Sequence, residues 1–168
     1  MPNDPSQDAF PSLEISLEHQ TLTLRLNDQT DPVVYPVSSA LNGAGEQNGS
    51  GCTPTGNHYV RALIGRGEPL NTVFVGRRPT GEILTPQLAV RFPERDWILT
   101  RILWLCGCEP GKNRLGQVDS FRRFIYIHGT PESEPMGMPK SHGCIRMRNQ
   151  HVAELFEQVR AGTPVVIK

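Results

Sequence analysis

Short apolar runs that alternate with polar residues, each cut off by glycine or proline within a few positions, commit this chain to a β-sheet fold. Leu13, Ile15 and Leu17 alternate with polar neighbours, and so do Leu22, Leu24 and Leu26. A period of two places each set on one face, the mark of a half-buried strand. A turn near Glu18-His19-Gln20 joins the two. Further strands are expected at 33–37, 58–64, 72–75, 98–105 and 124–128. Strands at this spacing with Gly/Pro turns predict a mainly β fold, a sandwich or barrel-like sheet, rather than alternating β and α units. The helical period occurs once: Val152, Leu155, Phe156 and Val159 fall at spacings 0, 3, 4 and 7. That face predicts one C-terminal-region helix over 150–161, with Asn149 as N-cap and Gly162 just past its end. Residues 38–51 form a long Gly, Asn and Ser loop suited to a lid or a binding edge.

Residues 1–11 read as a disordered tail, which leaves 12–168 as one domain. A chain of 168 residues can bury a respectable core without disulfides. Lys plus Arg equals Asp plus Glu, 17 each, so nothing favours nucleic acid or an anionic membrane, both of which reward a basic surface. No apolar run approaches membrane-spanning length. The first residues lack the basic start and apolar stretch of a secretory signal. A cytoplasmic location is therefore expected, or a periplasmic one if the true start lies elsewhere, and a monomer is expected. The cysteines are Cys52, Cys106, Cys108 and Cys144, expected to be thiols in a reducing compartment. Cys106-Gly107-Cys108 is too tight for the usual zinc spacing and reads as the end of a buried strand.

The chemistry gathers in two places. Phe124-Ile125-Tyr126-Ile127-His128-Gly129 is a β-branched and aromatic run stopped by glycine. Tyr126 and His128 share one face of that strand, and Ile125 and Ile127 fill the other, so His128 looks out at the sheet end. A loop rich in proline and glycine then returns the chain to Ser141-His142-Gly143-Cys144-Ile145-Arg146-Met147. A cysteine is a strong nucleophile only as thiolate, and a nearby imidazole can take its proton. Gly143 supplies a sharp turn that can expose the sulfur and align the N–H groups of His142, Gly143 and Cys144 for a developing oxyanion. Arg146 and Arg148 follow at alternate positions, and either guanidinium could grip a carboxylate.

At these residues the chain resembles the YkuD-type L,D-transpeptidase catalytic domain family, cysteine enzymes of bacterial peptidoglycan. Thr53-Pro54-Thr55-Gly56, Phe74-Val75-Gly76-Arg77 and the helix leading into Gly162-Thr163-Pro164-Val165-Val166-Ile167 agree with it. The likeness runs from about residue 13 to 168. Many family members carry asparagine two positions after the cysteine where this chain has Arg146, a departure that touches substrate binding rather than chemistry. The resemblance implies Cys144 as nucleophile, His128 as base, and the Gly129 carbonyl as the third member that orients the imidazole. It implies a tetrapeptide stem as donor, with a diamino acid third and D-alanine fourth. The thioester then passes to water (an L,D-carboxypeptidase of murein recycling) or to an amine, giving a 3,3 cross-link or D-amino-acid exchange. With no export signal in view, water is the favoured acceptor, and soluble muropeptides are the expected partners.

Each site residue also has a structural reading. His142 can contact substrate or merely shape the turn. The Ser141 hydroxyl can face a ligand, although hydrogen bonding within the loop suits it better. Arg146 is either a carboxylate clamp or a surface ion pair, and Tyr126 lines the cleft or packs. No cofactor is called for. His128, His142 and Cys144 lack the partner spacing of a zinc site, so no metal is expected. A silent peptidoglycan-binding module is the alternative from another class. NlpC-type and papain-like enzymes place cysteine before histidine, the reverse of this order.

Overall fold

The computed structural model describes residues 11–168; all of the expected tail except Pro11 lies outside them. Ten strands form one curled sheet. Strands β1 (Ser12–Ser16) and β2 (Thr21–Arg25) are the expected hairpin. Its register sets Leu13 opposite Leu24 and Ile15 opposite Leu22, and all four are almost fully buried. Next come β3 (Val33–Pro36), β4 (Gly56–Ile64), β5 (Thr72–Val75), β6 (Arg78–Ile83) and β7 (Ile98–Gly107). The chain closes with β8 (Tyr126–Gly129), β9 (Ile145–Met147) and β10 (Pro164–Ile167). The order is β3-β2-β1-β10-β4-β7-β5-β6, with β8 on β7 and β9 on β8. The fold is mainly β, as expected.

The long strand β7 organises the site. Leu103 pairs with Leu63 of β4 and with Ile127 of β8, so those strands flank opposite edges of β7. Further along, Leu99 pairs with Val73 of β5 on one edge and Gly129 on the other. A bulge between Leu99 and Ile102 bends the strand there, as an unpaired extra residue does. Thr100, inside the bulge, has φ +72.

Among the described residues there are two α-helices, where one was expected: α1 (Pro86–Arg91) and α2 (Asn149–Gln158). The α1 start has Thr85 capping the Leu88 N–H, with proline in the first turn. Helix α2 presses Val152, Leu155 and Phe156 onto Leu103, Leu105, Ile127 and Ile145 in the main core. Each such side chain contributes about 1.5–3 kcal/mol before ordering costs. Its ends differ from expectation. Asn149 is the first helical residue, not the cap, and Arg148 stands at the N-cap without a side-chain capping bond. The Asn149 amide is spent elsewhere: Oδ1 accepts from Thr100 Oγ1 at 2.6 Å and Nδ2 donates to the Thr130 carbonyl at 2.8 Å. The helix stops at Gln158, with Val159 extended, so Gly162 (φ +93) belongs to the turn into β10. Val159 is still buried.

Candidate active site

Strand β8 separates core from chemistry by alternation. Ile125 and Ile127 enter the core under α2, while Tyr126 joins Phe74, Ile102 and Trp104 on the other face, beside Cys144. His128 lies on that second face and is itself buried. Its Nδ1 meets the Gly129 carbonyl at 2.6 Å. A carbonyl can only accept, so Nδ1 carries the proton and Nε2 keeps its lone pair. Burial holds the imidazole below its ordinary pKa, opposed by the Gly129 carbonyl and Asp96. The ring is a neutral base at pH 7. Only glycine fits at 129, since a β-carbon would collide with Asn149 Oδ1 and the Leu99 carbonyl.

Cys144 ends the turn before β9. Gly143 takes φ +137, and a β-carbon there would press on the Cys52 carbonyl and Ile125. The Ser141 hydroxyl donates to the Cys144 carbonyl and accepts from the Gly143 N–H at 3.2 Å. Ser141 is buried, and its hydroxyl closes the turn instead of facing a ligand. The Gly143 amide, one of the three expected oxyanion donors, is engaged there. The Gly143 carbonyl accepts from Thr53 Oγ1 at 2.9 Å. Residues 38–51, expected as a lid or binding edge, brace the turn: Ser38 and Arg146 exchange two backbone bonds at 2.9 Å, and the Leu41 N–H donates to the Ser141 carbonyl.

Cys144 and His128 line one cavity of about 230 Å³, with Asp96, Phe124, His142 and Arg146. The hydrogen bonds of the sulfur go to backbone atoms. Its S–H donates to the Phe124 carbonyl at 3.3 Å, and Sγ accepts the Tyr126 N–H at 3.3 Å. Burial pushes the thiol up to about 12; the Tyr126 N–H, Arg146 and Arg123 pull down, and Asp96 adds to the rise. The resting pair is therefore a neutral thiol beside a neutral imidazole. Both shifts come first from desolvation, which disfavours the thiolate and the imidazolium alike.

Arg146 is neither a free clamp nor a surface pair. It is 8 % exposed, lies 3.6 Å from both Asp96 and Glu134, and donates to the Lys140 carbonyl. His142 is exposed, 4.0 Å from Asp96. Arg148 holds the Glu132 and Glu134 carbonyls. Tyr126 is buried, and its hydroxyl accepts from Arg77 at 3.1 Å. Asp96 was not anticipated; it lies in a loop with no motif. Arg123 was also missed, although its guanidinium ties the carbonyls of Glu46 and Cys52 to the site.

A wider concavity of about 850 Å³ crosses β1, β10 and β4, near His58 and Cys108. Both His58 ring nitrogens are occupied, by the Gly56 carbonyl and Ser120 Oγ, so it offers no free base. Among the described residues no group of three or more His, Cys, Asp and Glu side chains could hold a metal ion. All four cysteines are free. No helix among the described residues is long and apolar enough to cross a membrane.

The family model of the YkuD L,D-transpeptidase catalytic domain matches residues 11–167. The chain belongs to the L,D-transpeptidase family. YbiS of Escherichia coli strain K12 is 46% identical over 43 residues, covering 26% of this chain and 14% of that protein. YqjB of Bacillus subtilis strain 168 is 47% identical over 45 residues, 27% of this chain and 26% of its own length. Both carry the L,D-transpeptidase name as a provisional assignment. Among solved structures, an L,D-transpeptidase from Mycobacterium smegmatis aligns with a TM-score of 0.52 at 16% identity, over 93% of this chain and 57% of that one. An Enterococcus faecium L,D-transpeptidase mutant gives 0.55 at 16%, over 94% and 49%. The chain thus spans about half the length of these solved relatives, and its match covers about a quarter or less of the two named proteins. The solved relatives share its fold.

Proposed function

We propose that this protein is a cysteine acyl-transfer enzyme acting on peptidoglycan stem tetrapeptides. The observation that carries this is the Nδ1–Gly129 bond, which leaves the His128 Nε2 lone pair in the same cavity as Cys144. Substrate entry displaces the thiol from the Phe124 carbonyl. Nε2 takes the S–H proton as Sγ attacks the carbonyl of the third residue, an L-centred diamino acid. The oxyanion faces the His142 and Cys144 amides. The C–N bond then breaks, Nε2–H protonates the departing D-alanine amine, and a Cys144 thioester remains.

Water is the favoured acceptor. Nε2 takes its proton, hydroxide displaces Sγ, and the proton returns to sulfur as tripeptide leaves. Hydrolysis needs no second peptide subsite beside the cavity that holds Cys144 and His128. Amine transfer, by 3,3 cross-linking or D-amino-acid exchange, is the competing outcome. Purified protein given a muropeptide tetrapeptide, with and without a free D-amino acid, separates them. Tripeptide should dominate in both; exchange outrunning tripeptide at millimolar amine would reassign the acceptor, and no release of D-alanine at all would end the proposal.

A further inference from the structure

We propose that Arg77 positions the acyl donor by binding one of its carboxylates; the proposal rests on the acyl-transfer reading above. Arg77 sits at the tip of the β5–β6 hairpin, where Val75 pairs with Arg78 across a two-residue turn. Gly76 and Arg77 have φ +56 and +64. Turns of this kind favour glycine at the second position, and a long side chain tolerates that backbone only when its surroundings hold it.

Arg77 rests on residues that also hold the nucleophile. Its guanidinium lies 4.9 Å from the ring centroids of both Trp104 and Phe124, and Nη1 donates to Tyr126 Oη at 3.1 Å. Phe124 and Tyr126 are the two residues whose backbone holds the Cys144 sulfur. One fork therefore touches the same pair of residues as the reacting atom. A guanidinium has five N–H donors, and this one spends one of them on Tyr126. Arg66, Arg95, Arg146 and Arg148 each have a carboxylate within 4 Å. Among the described residues Arg77 has none. It is a half-buried cation on aromatic faces, one of them the Phe124 ring that lines the cavity, held in direction by Tyr126 and without a carboxylate among the described residues. An anion on the donor completes it, and a carboxylate matches the fork.

Two donor carboxylates qualify, the terminal one on D-alanine and the second carboxylate of a dicarboxylic diamino acid. The test measures D-alanine or D-alaninamide release from three donors: unmodified, amidated at the terminus, and amidated at the diamino acid. Arg77→Met keeps a long apolar cover over Trp104 and Phe124. It should raise KM for the unmodified donor about tenfold, leave kcat within about threefold and leave the melting temperature unchanged. Arg77→Lys should recover part of the KM. The carboxylate whose amidation hurts wild type but not Arg77→Met is the one bound. Arg78→Met, an exposed charge on the same hairpin, should behave as wild type. An unchanged KM in Arg77→Met, undiminished discrimination against both amidated donors, or an equal effect from Arg78→Met would overturn the role of Arg77 alone. A wild-type protein that releases nothing from any donor would overturn the acyl-transfer reading, and this one with it.

Discussion

Arg146 lines the cavity with Cys144 and faces two carboxylates, Asp96 and Glu134, whereas Arg77 at the tip of the β5–β6 hairpin rests on two aromatic rings with none. The first has one positive charge against two negative ones, so it ties loops together. The second is an unspent charge held in one direction by Tyr126. Nearness to Cys144, in sequence and in space, points to Arg146; charge accounting favours Arg77, which reaches the site through Phe124 and Tyr126. What an arginine can do follows from its counterions more than from its motif.

The largest effects should fall within the cavity itself, upstream of either arginine. Cys144→Ala should abolish D-alanine release, a loss of about 10⁴-fold or more, and His128→Gln should cost about 10²–10⁴-fold in kcat. Steady-state assays at saturating donor check both. If Arg146→Met lost as much kcat as His128→Gln, Arg146 would belong to the chemistry, and the contrast drawn above would be broken.

Arg146→Met should instead act on stability. It leaves Asp96 and Glu134 facing each other without their shared cation. Because both carboxylates are about half exposed, the cost is about 1–3 kcal/mol, below that of a fully buried pair. Thermal or urea unfolding reads it.

Asp96→Asn sharpens the picture further. The carboxylate raises the Cys144 thiol and supports the protonated His128 ring. Removing it should lower both pKa values, so iodoacetamide should label Cys144 a few-fold faster at fixed pH 8. No change, or slower labelling, would place Asp96 out of electrostatic reach of the sulfur.

The smallest effect is on the pH dependence of stability. His128 resists protonation in the fold, so below its unfolded pKa near 6.5 the unfolded chain binds the extra proton and stability falls as pH drops. Cys144 holds its proton up to about 12, so above about pH 8.5–9 the unfolded chain loses one first, and stability falls as pH rises. His128→Gln should flatten the acid side, and Cys144→Ala the alkaline side, of a urea-midpoint profile against pH.

The parts legible in the sequence are those set by period. The β8 run announced itself through alternating isoleucines, and this put His128 on the right face. Helix α2 showed its apolar stripe, but its start was misplaced because Asn149 looks like a cap and is instead consumed by Thr100 and Thr130. The β6 hairpin has exposed residues and little alternation, and β9 is three residues long, too short for a pattern. Thr85-Pro86 is a good helix start, yet α1 buries no residue fully and so has no apolar face to detect. The turn at Gly143 was readable; the direction of the Cys144 sulfur was not, since Phe124 and Tyr126 decide it from twenty and eighteen residues away. Asp96 and the aromatic seat of Arg77 are likewise products of tertiary contact.

The attacking atom and the attacked bond are read together by the intact mass of the protein after brief mixing with tetrapeptide. A tripeptidyl adduct is expected, with D-alanine lost, mapped by peptide digestion to Cys144, absent in Cys144→Ala and formed far more slowly in His128→Gln. An adduct retaining D-alanine, an adduct on any other residue, or full-rate acylation without His128 would contradict it.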